Sequence, residues 1–261
     1  MRSLEEILAE GSAGGLSADD AAEYLRRGEV RYLDEFAVLD RGRAARKGVP
    51  EIVYAPGKSP EQVGRICVSL LSTQSRVIVS GADKTHLVEL ERVLPDAPIS
   101  HAGRALVIGS GEASATGGRI GALCAGTSDL PVLEEALAVA REMGAEIESF
   151  HDVGVAGIHR LIEPLERLQE FDPDCLIVAA GMEGALPSVV GGLVDVPVIG
   201  LPTSTGYGLG GDGTAPIMGM LQSCSTGLSV VNVDNGVGAG ATAAMISNRA
   251  ARREKRNAGD G

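Results

Sequence analysis

Arg119-Ile-Gly-Ala-Leu-Cys-Ala-Gly-Thr-Ser-Asp-Leu-Pro-Val132 is the stretch that decides the fold. Ile120 to Cys124 is an uncharged, mostly apolar run short enough for a buried strand. Small and hydroxyl residues follow, and then a Leu-Pro pair of the kind that opens a helix. A strand that turns at once into a helix is half of a parallel crossover unit. The same order recurs downstream. Strands are predicted at 119–124, 146–150, 174–180, 196–200 and 228–233, with helices near 130–143, 156–170, 184–193 and 214–223. A last helix starts near 239 and runs into an Arg/Lys-rich tail. Apolar strands alternating with helices predict a parallel sheet covered on both faces.

Upstream the alternation is less regular. Strands are expected at 51–55, 76–80 and 104–108, and helices from Ser59-Pro-Glu61 and over 84–94. The run from Val38 to Pro50 is basic and broken by Gly and Pro, so it reads as irregular. Residues 3–28 read as two short helices, with a capping-box-like start at Ser17–Asp20 and a stop at Arg26-Arg-Gly28. Gly109–Gly118 has no period and reads as a linker. The chain therefore divides into a smaller N-terminal α/β domain, 1–117, and a C-terminal α/β domain, 118–261.

The chain has 261 residues, 44% hydrophobic but only 3% aromatic, so its core is built from Ala, Val, Leu and Ile. Its net charge of −12 argues against a nucleic-acid groove, which needs a basic face. A few arginines and helix N-termini can still hold a small phosphorylated ligand. Cys67, Cys124, Cys175 and Cys224 fall in no CxxC or zinc-like spacing. Met1-Arg-Ser-Leu-Glu-Glu shows no apolar leader, and no run of 18 apolar residues is present. A reduced, cytoplasmic protein without a membrane span is expected.

Ligands of such sheets bind at the carboxyl ends of the strands. Four loops there hold chemistry-bearing residues. In Ala125–Pro131, Thr127 or Ser128 caps a helix or meets a phosphate. In His151–Arg160, Arg160 clamps an anion or simply sits in a solvated helix start. In Ala179–Ser188, Glu183 favours a helix dipole or acts as a base. Pro202–Gly213 contains a formal G-x-G-x-x-G at Gly208, Gly210 and Gly213. It lies in the wrong place for a dinucleotide fingerprint and reads as a Gly-rich loop near a ligand, or as a long turn. Cys224 is placed at the end of the next helix. Taken alone, a cysteine beside an apolar strand is more often buried and inert.

Six motifs then appear in a fixed order: Ala125–Val132, Asp152–Arg160, Ala180–Val189, Pro202–Gly208, Ser223-Cys224 and Val231–Gly236. Together they resemble the pyridinium-3,5-biscarboxylic acid mononucleotide synthase family, which begins synthesis of the nickel-pincer nucleotide cofactor of lactate racemase. The resemblance extends upstream to Leu39–Glu51 and Gly57-Lys58. The C-terminal half is also similar to the aminoimidazole ribonucleotide carboxylase/mutase family, which implies a flavodoxin-like three-layer sheet and an eight-subunit assembly. That family uses a His just before a Leu-Pro pair, and here Ala185 stands before Leu186-Pro187.

The first resemblance implies a cytoplasmic carboxylase/hydrolase. Its substrate is nicotinic acid adenine dinucleotide, which is carboxylated on ring carbon 5 and hydrolysed to release AMP. Carbon dioxide or bicarbonate is the co-substrate and Mg2+ the expected metal. It implies Cys224 as transient nucleophile and Glu183 as base. Thr127, Ser128, Asp129, His159, Arg160, Thr203, Ser204, Gly206, Tyr207, Asp234 and Asn235 become substrate-binding candidates. Asp129 or Asp152 is a candidate ligand for Mg2+. A homo-octamer is expected, and the small residues Gly238–Ala244 are the sequence feature that would permit close packing between copies. The alternatives are a purine-type carboxylase/mutase and a non-catalytic nucleotide-binding module.

Overall fold

The structure is a computed structural model that describes residues 10–17, 19–20, 30–33, 36–40 and 42–259. The two helices expected over 3–28 therefore lie largely outside the described residues. In the N-terminal part, β1 (Val30–Leu33) pairs antiparallel with β2 (Ala37–Asp40). A short helix α1 (Arg43–Lys47) follows. Then come β3 (Ile52–Tyr54), α2 (Pro60–Leu71), β4 (Arg76–Ser80), α3 (Lys84–Val93), β5 (Ile99–Ala102) and β6 (Ala105–Gly109). The sheet order is β3-β4-β6-β5, with β3 and β4 parallel and the rest antiparallel. Helix α2 starts as its sequence dictates: Ser59 accepts from the Gln62 N–H, Gln62 returns a bond to the Ser59 N–H, and Pro60 sits in the first turn.

Two expectations fail here. Val38–Pro50 is not irregular, since it contains β2 and α1. Strand β5 was not expected at all. It is only four residues long and its two central residues, Ser100 and His101, are exposed, so no apolar run marks it. The β5–β6 hairpin closes through Gly103-Arg104, between the paired Ala102 and Ala105. Gly103 has φ of 57°, as a tight turn of this kind needs. A Cβ there would also fall 2.1 Å from the Pro131 carbonyl oxygen. The glycine thus lets the hairpin touch the second domain, where the Arg104 N–H donates to that same carbonyl at 3.1 Å.

The second domain contains β7 (Arg119–Cys124), α4 (Leu130–Glu142), β8 (Glu146–Phe150), α5 (Ile162–Phe171) and β9 (Cys175–Ala180). It continues through α6 (Leu186–Gly191), β10 (Val198–Pro202), α7 (Thr214–Leu221), β11 (Leu228–Val230) and α8 (Gly236–Gly259). All five strands are parallel, in the order β11-β10-β9-β7-β8. This is the flavodoxin-like order, whose switch point lies between β7 and β9. The helix expected over 156–170 is really a 3-10 segment, Val155–Leu161, leading into α5. Gly157 breaks the regular turn inside it.

One face of the sheet packs on α4 and α8 through Ile120, Leu133, Ala136, Ile177, Ala239 and Ala243. That core also takes in Val49, Ile78 and Ala105 of the first domain. The other face is covered through Leu123, Leu161, Leu168, Val178 and Leu186. The segment 110–118 joins the two sheets without helix or strand. Its end is fastened to the second domain, where Thr116 Oγ donates to Gly144 O and lies 2.5 Å from Asn248 Oδ1.

The small residues Gly238–Ala244 are used inside the chain. Ala239, Ala243 and Ala244 are fully buried, and the backbone of Gly240 lies against α4. The Ala239, Gly240 and Ala243 face of this stretch therefore packs within the chain, while Thr242 stays exposed. A Cβ on Gly240 would sit 2.1 Å from the Ala136 carbonyl oxygen. Gly240→Ala is expected to destabilise the protein by about 2 kcal/mol, because a backbone clash outweighs the roughly 1 kcal/mol gained in helix propensity. Urea unfolding checks this, and the midpoint falls.

Candidate active site

Four loops at the carboxyl ends of β7, β8, β9 and β10 enclose a cavity of roughly 520 Å3 at the switch point. Asp129 is the knot that holds three of them. It is buried, and it accepts from the Gly126 N–H at 2.9 Å and from Thr203 Oγ at 2.5 Å. Burial pushes its carboxyl upward, while hydrogen bonds from Thr203, Gly126 and Gly181 pull it back. Thr205 Oγ donates to Ser128 O at 3.2 Å, and the Met182 N–H donates to Thr205 O at 3.0 Å. The loops after β7, β9 and β10 are thereby woven together.

Ser128, Asp129, Arg160, Glu183, Gly206 and Tyr207 all line this cavity. Arg160 pairs with Asp152 at 2.8 Å, and Asp152 holds a left-handed backbone with φ of 59°. Met182 also has a left-handed φ, 49°, on a bulky residue. That turn presents Glu183, whose side chain is exposed to the cavity. Helix α7 holds the turn from behind, since a Cβ on Gly219 would fall 2.4 Å from Glu183 O. Ala185 lines the cavity beside Glu183, and no histidine does so among the described residues.

The remaining candidates stand elsewhere. Thr127 and His159 are exposed and outside the lining. Thr203 is fully buried beneath the cavity, bonded to Asp129. Ser204 donates through its N–H and its hydroxyl to Asp234, at 2.8 and 2.7 Å. Asp234 and Asn235 line a neighbouring cleft that faces the N-terminal domain. Sequence reasoning missed Thr205 and the Gly154–Ala156 wall, which are small residues with no chemical signature.

Cys224 lies three residues past α7 and is exposed, the other three cysteines being buried. It precedes β11, whose first residue, Leu228, pairs with the first residue of β10, Val198. It is therefore at the amino end of the sheet and does not line the cavity of its own chain. Its loop is tied to α6: Ser188 Oγ lies 2.8 Å from Ser223 Oγ, and Ser225 Oγ donates to Ser188 O at 2.6 Å.

Among the described residues no group of three His, Cys, Asp or Glu side chains converges. Asp129 is committed to Gly126 and Thr203, and Asp152 to Arg160. Among the described residues no helix is long and apolar enough to cross a membrane.

Residues 31–110 match the family model described as a LarB/PurE-like N-terminal domain, and residues 119–258 match the one described as AIR carboxylase. An uncharacterized protein of Methanocaldococcus jannaschii is 39% identical over 94% of this chain and 97% of its own length. The N5-carboxyaminoimidazole ribonucleotide mutase of Thermotoga maritima is 29% identical over 49% of this chain and 74% of its own. A solved solute-binding protein of an ABC transporter from Bradyrhizobium overlaps 52% of this chain and 57% of its own at a TM-score of 0.29 and 13% identity, too low to bear on the fold.

Proposed function

The chain belongs to the AIR carboxylase family, with a LarB/PurE-like domain ahead of the carboxylase-type domain, and from that membership we propose that it carboxylates the pyridinium ring of nicotinic acid adenine dinucleotide at carbon 5 and releases AMP. The observation that favours this over a purine-type reaction is the lining of the cavity. It offers the carboxylate of Glu183, with Ala185 beside it and no imidazole among the described residues. Glu183 is the exposed carboxylate of that lining and is the base in this reading. This reading makes the protein the source of the dicarboxylated mononucleotide from which a nickel-pincer nucleotide is built.

A pyridinium ring is electron-poor and does not attack carbon dioxide. A thiolate that adds to carbon 4 turns the ring into a dihydropyridine, whose enamine carbon 5 is nucleophilic. Carbon 5 forms the bond to carbon dioxide, and Glu183 takes the proton left on that carbon. Expulsion of the thiolate from carbon 4 restores the aromatic ring. The sulfur must both attack and leave well, which favours Cys224. Water then cleaves the phosphoanhydride. Mg2+ enters this reading as a counter-ion of the diphosphate.

Cys224 stands outside its own cavity, so in this reading a second copy in a homo-oligomer delivers the thiol. In this reading one chain alone does not complete the site, and that requirement is a reason to expect an assembly. The test offers the protein nicotinic acid adenine dinucleotide and N5-carboxyaminoimidazole ribonucleotide in parallel, each with bicarbonate and Mg2+. Consumption of the first alone is expected. Turnover of the second alone would make the chain a purine-type enzyme.

A further inference from the structure

Beside the first cavity lies a cleft of roughly 370 Å3 between the two domains. From the N-terminal side Tyr54 and Ser80 reach it at the ends of the parallel strands β3 and β4, and Arg43 and Arg104 from α1 and the β5–β6 turn. From the other side come Glu135 of α4 and Asp234. These groups are built into the interface. Glu135 is only 2% exposed and accepts from Ser80 Oγ across the two domains at 2.7 Å. Arg104 pairs with Asp234 at 3.1 Å.

The two cavities share a wall. Ser204 is bonded to Asp234 of the cleft, while its chain neighbours Thr205 and Gly206 line the first cavity. Asp234 also acts electrostatically on Asp129 in that first cavity. A dinucleotide has two halves and needs two such rooms. The first, at about 520 Å3, suits one nucleotide and offers one cationic side chain, Arg160.

We propose that the cleft between the domains binds the adenylate half of the dinucleotide, so that the N-terminal domain is a substrate-binding part of the enzyme. The chemistry of the walls fits a nucleoside monophosphate better than a bare anion. Glu135 and Asp234 would repel a free phosphate, but Asp234, whose side chain is 23% exposed, can accept a hydrogen bond from a hydroxyl of a ribose. The guanidinium groups of Arg43, which also pairs with Glu51 at 3.4 Å, and of Arg104 suit the phosphate. The ring of Tyr54, 59% exposed, gives the base a surface to stack on. The inference rests on the function proposed above for the dinucleotide, but it is tested apart from it.

Arg43 and Tyr54 are not buried, so Arg43→Gln and Tyr54→Ala are expected to keep the fold. Calorimetry with AMP is expected to show binding to the wild type and at least about tenfold weaker binding to each variant, from the loss of a charge-assisted bond or a stacking surface. Nicotinic acid mononucleotide, which lacks the adenylate, binds both variants as it binds the wild type. 8-Azidoadenosine monophosphate labels the peptide that contains Tyr54. AMP that does not bind, that binds both variants unchanged, or whose azide labels residues 154–160 or 205–207 overturns the inference and leaves the proposed reaction standing. AMP that binds through Arg43 and Tyr54, in a protein that neither binds nor converts a nicotinic acid nucleotide, sinks the proposed reaction and leaves the cleft as an adenylate site.

Discussion

Cys224→Ser is expected to fold and to bind the dinucleotide but to carry out no detectable carboxylation. The residue is exposed and its sulfur fills no part of the core, so one changed atom costs no packing. What is lost is the nucleophile: a hydroxyl is a far poorer attacking and leaving group than a thiol. NAD has the same pyridinium ring with an amide in place of the acid. The wild type should add to it and give a new near-ultraviolet absorbance, and the serine variant should not. The other cysteines serve as controls. Burial pushes the thiols of Cys67 and Cys175 up to about 12 and that of Cys124 up to about 11, so they stay protonated at neutral pH. Their serine variants remain active. Normal turnover by Cys224→Ser, or an NAD adduct on another cysteine, contradicts the assignment.

Glu183→Gln separates the second step from the first. Loss of a positioned base typically slows a reaction by about 10²–10⁴-fold, and that is the expected fall in carboxylation. Adduct formation with NAD needs no base, so the glutamine variant still shows the new absorbance that the serine variant lacks. The two variants also test where the thiol comes from. If a second copy supplies it, subunits of Cys224→Ser and Glu183→Gln assembled together regain activity, because some sites combine an intact Glu183 with an intact Cys224. If the thiol served its own chain's cavity, no such mixed site could recover what only wild-type chains contain.

Much of this site was legible because apolar strands alternate with amphipathic helices, and ligand loops follow from that order. Asp129 has a role that its sequence neighbours do not disclose. Its type and place suggested phosphate or metal, yet its partner Thr203 lies 74 residues away, and only the fold reveals that it ties loops together. Asp234 is a substrate-binding candidate by sequence, and only the fold reveals that Arg104, 130 residues upstream, draws it into the cleft between the domains. Glu135 left a usable signal. It falls on the stripe of Val132, Ala136 and Val139, so it is a charge on the buried face of a helix. The position of Cys224 was legible too. In a parallel alternation, a residue between a helix and the next strand lies at the amino end of the sheet, away from the ligand loops. Strand β5 left little trace, being four residues with an exposed centre.

Mass spectrometry of the products formed from nicotinic acid adenine dinucleotide and 13C-bicarbonate, in the presence of Mg2+, is the most direct measurement. Two products are expected: unlabelled AMP, and a pyridinium mononucleotide heavier by one labelled carboxyl group. An unchanged dinucleotide, or a mononucleotide without the label, would contradict the account.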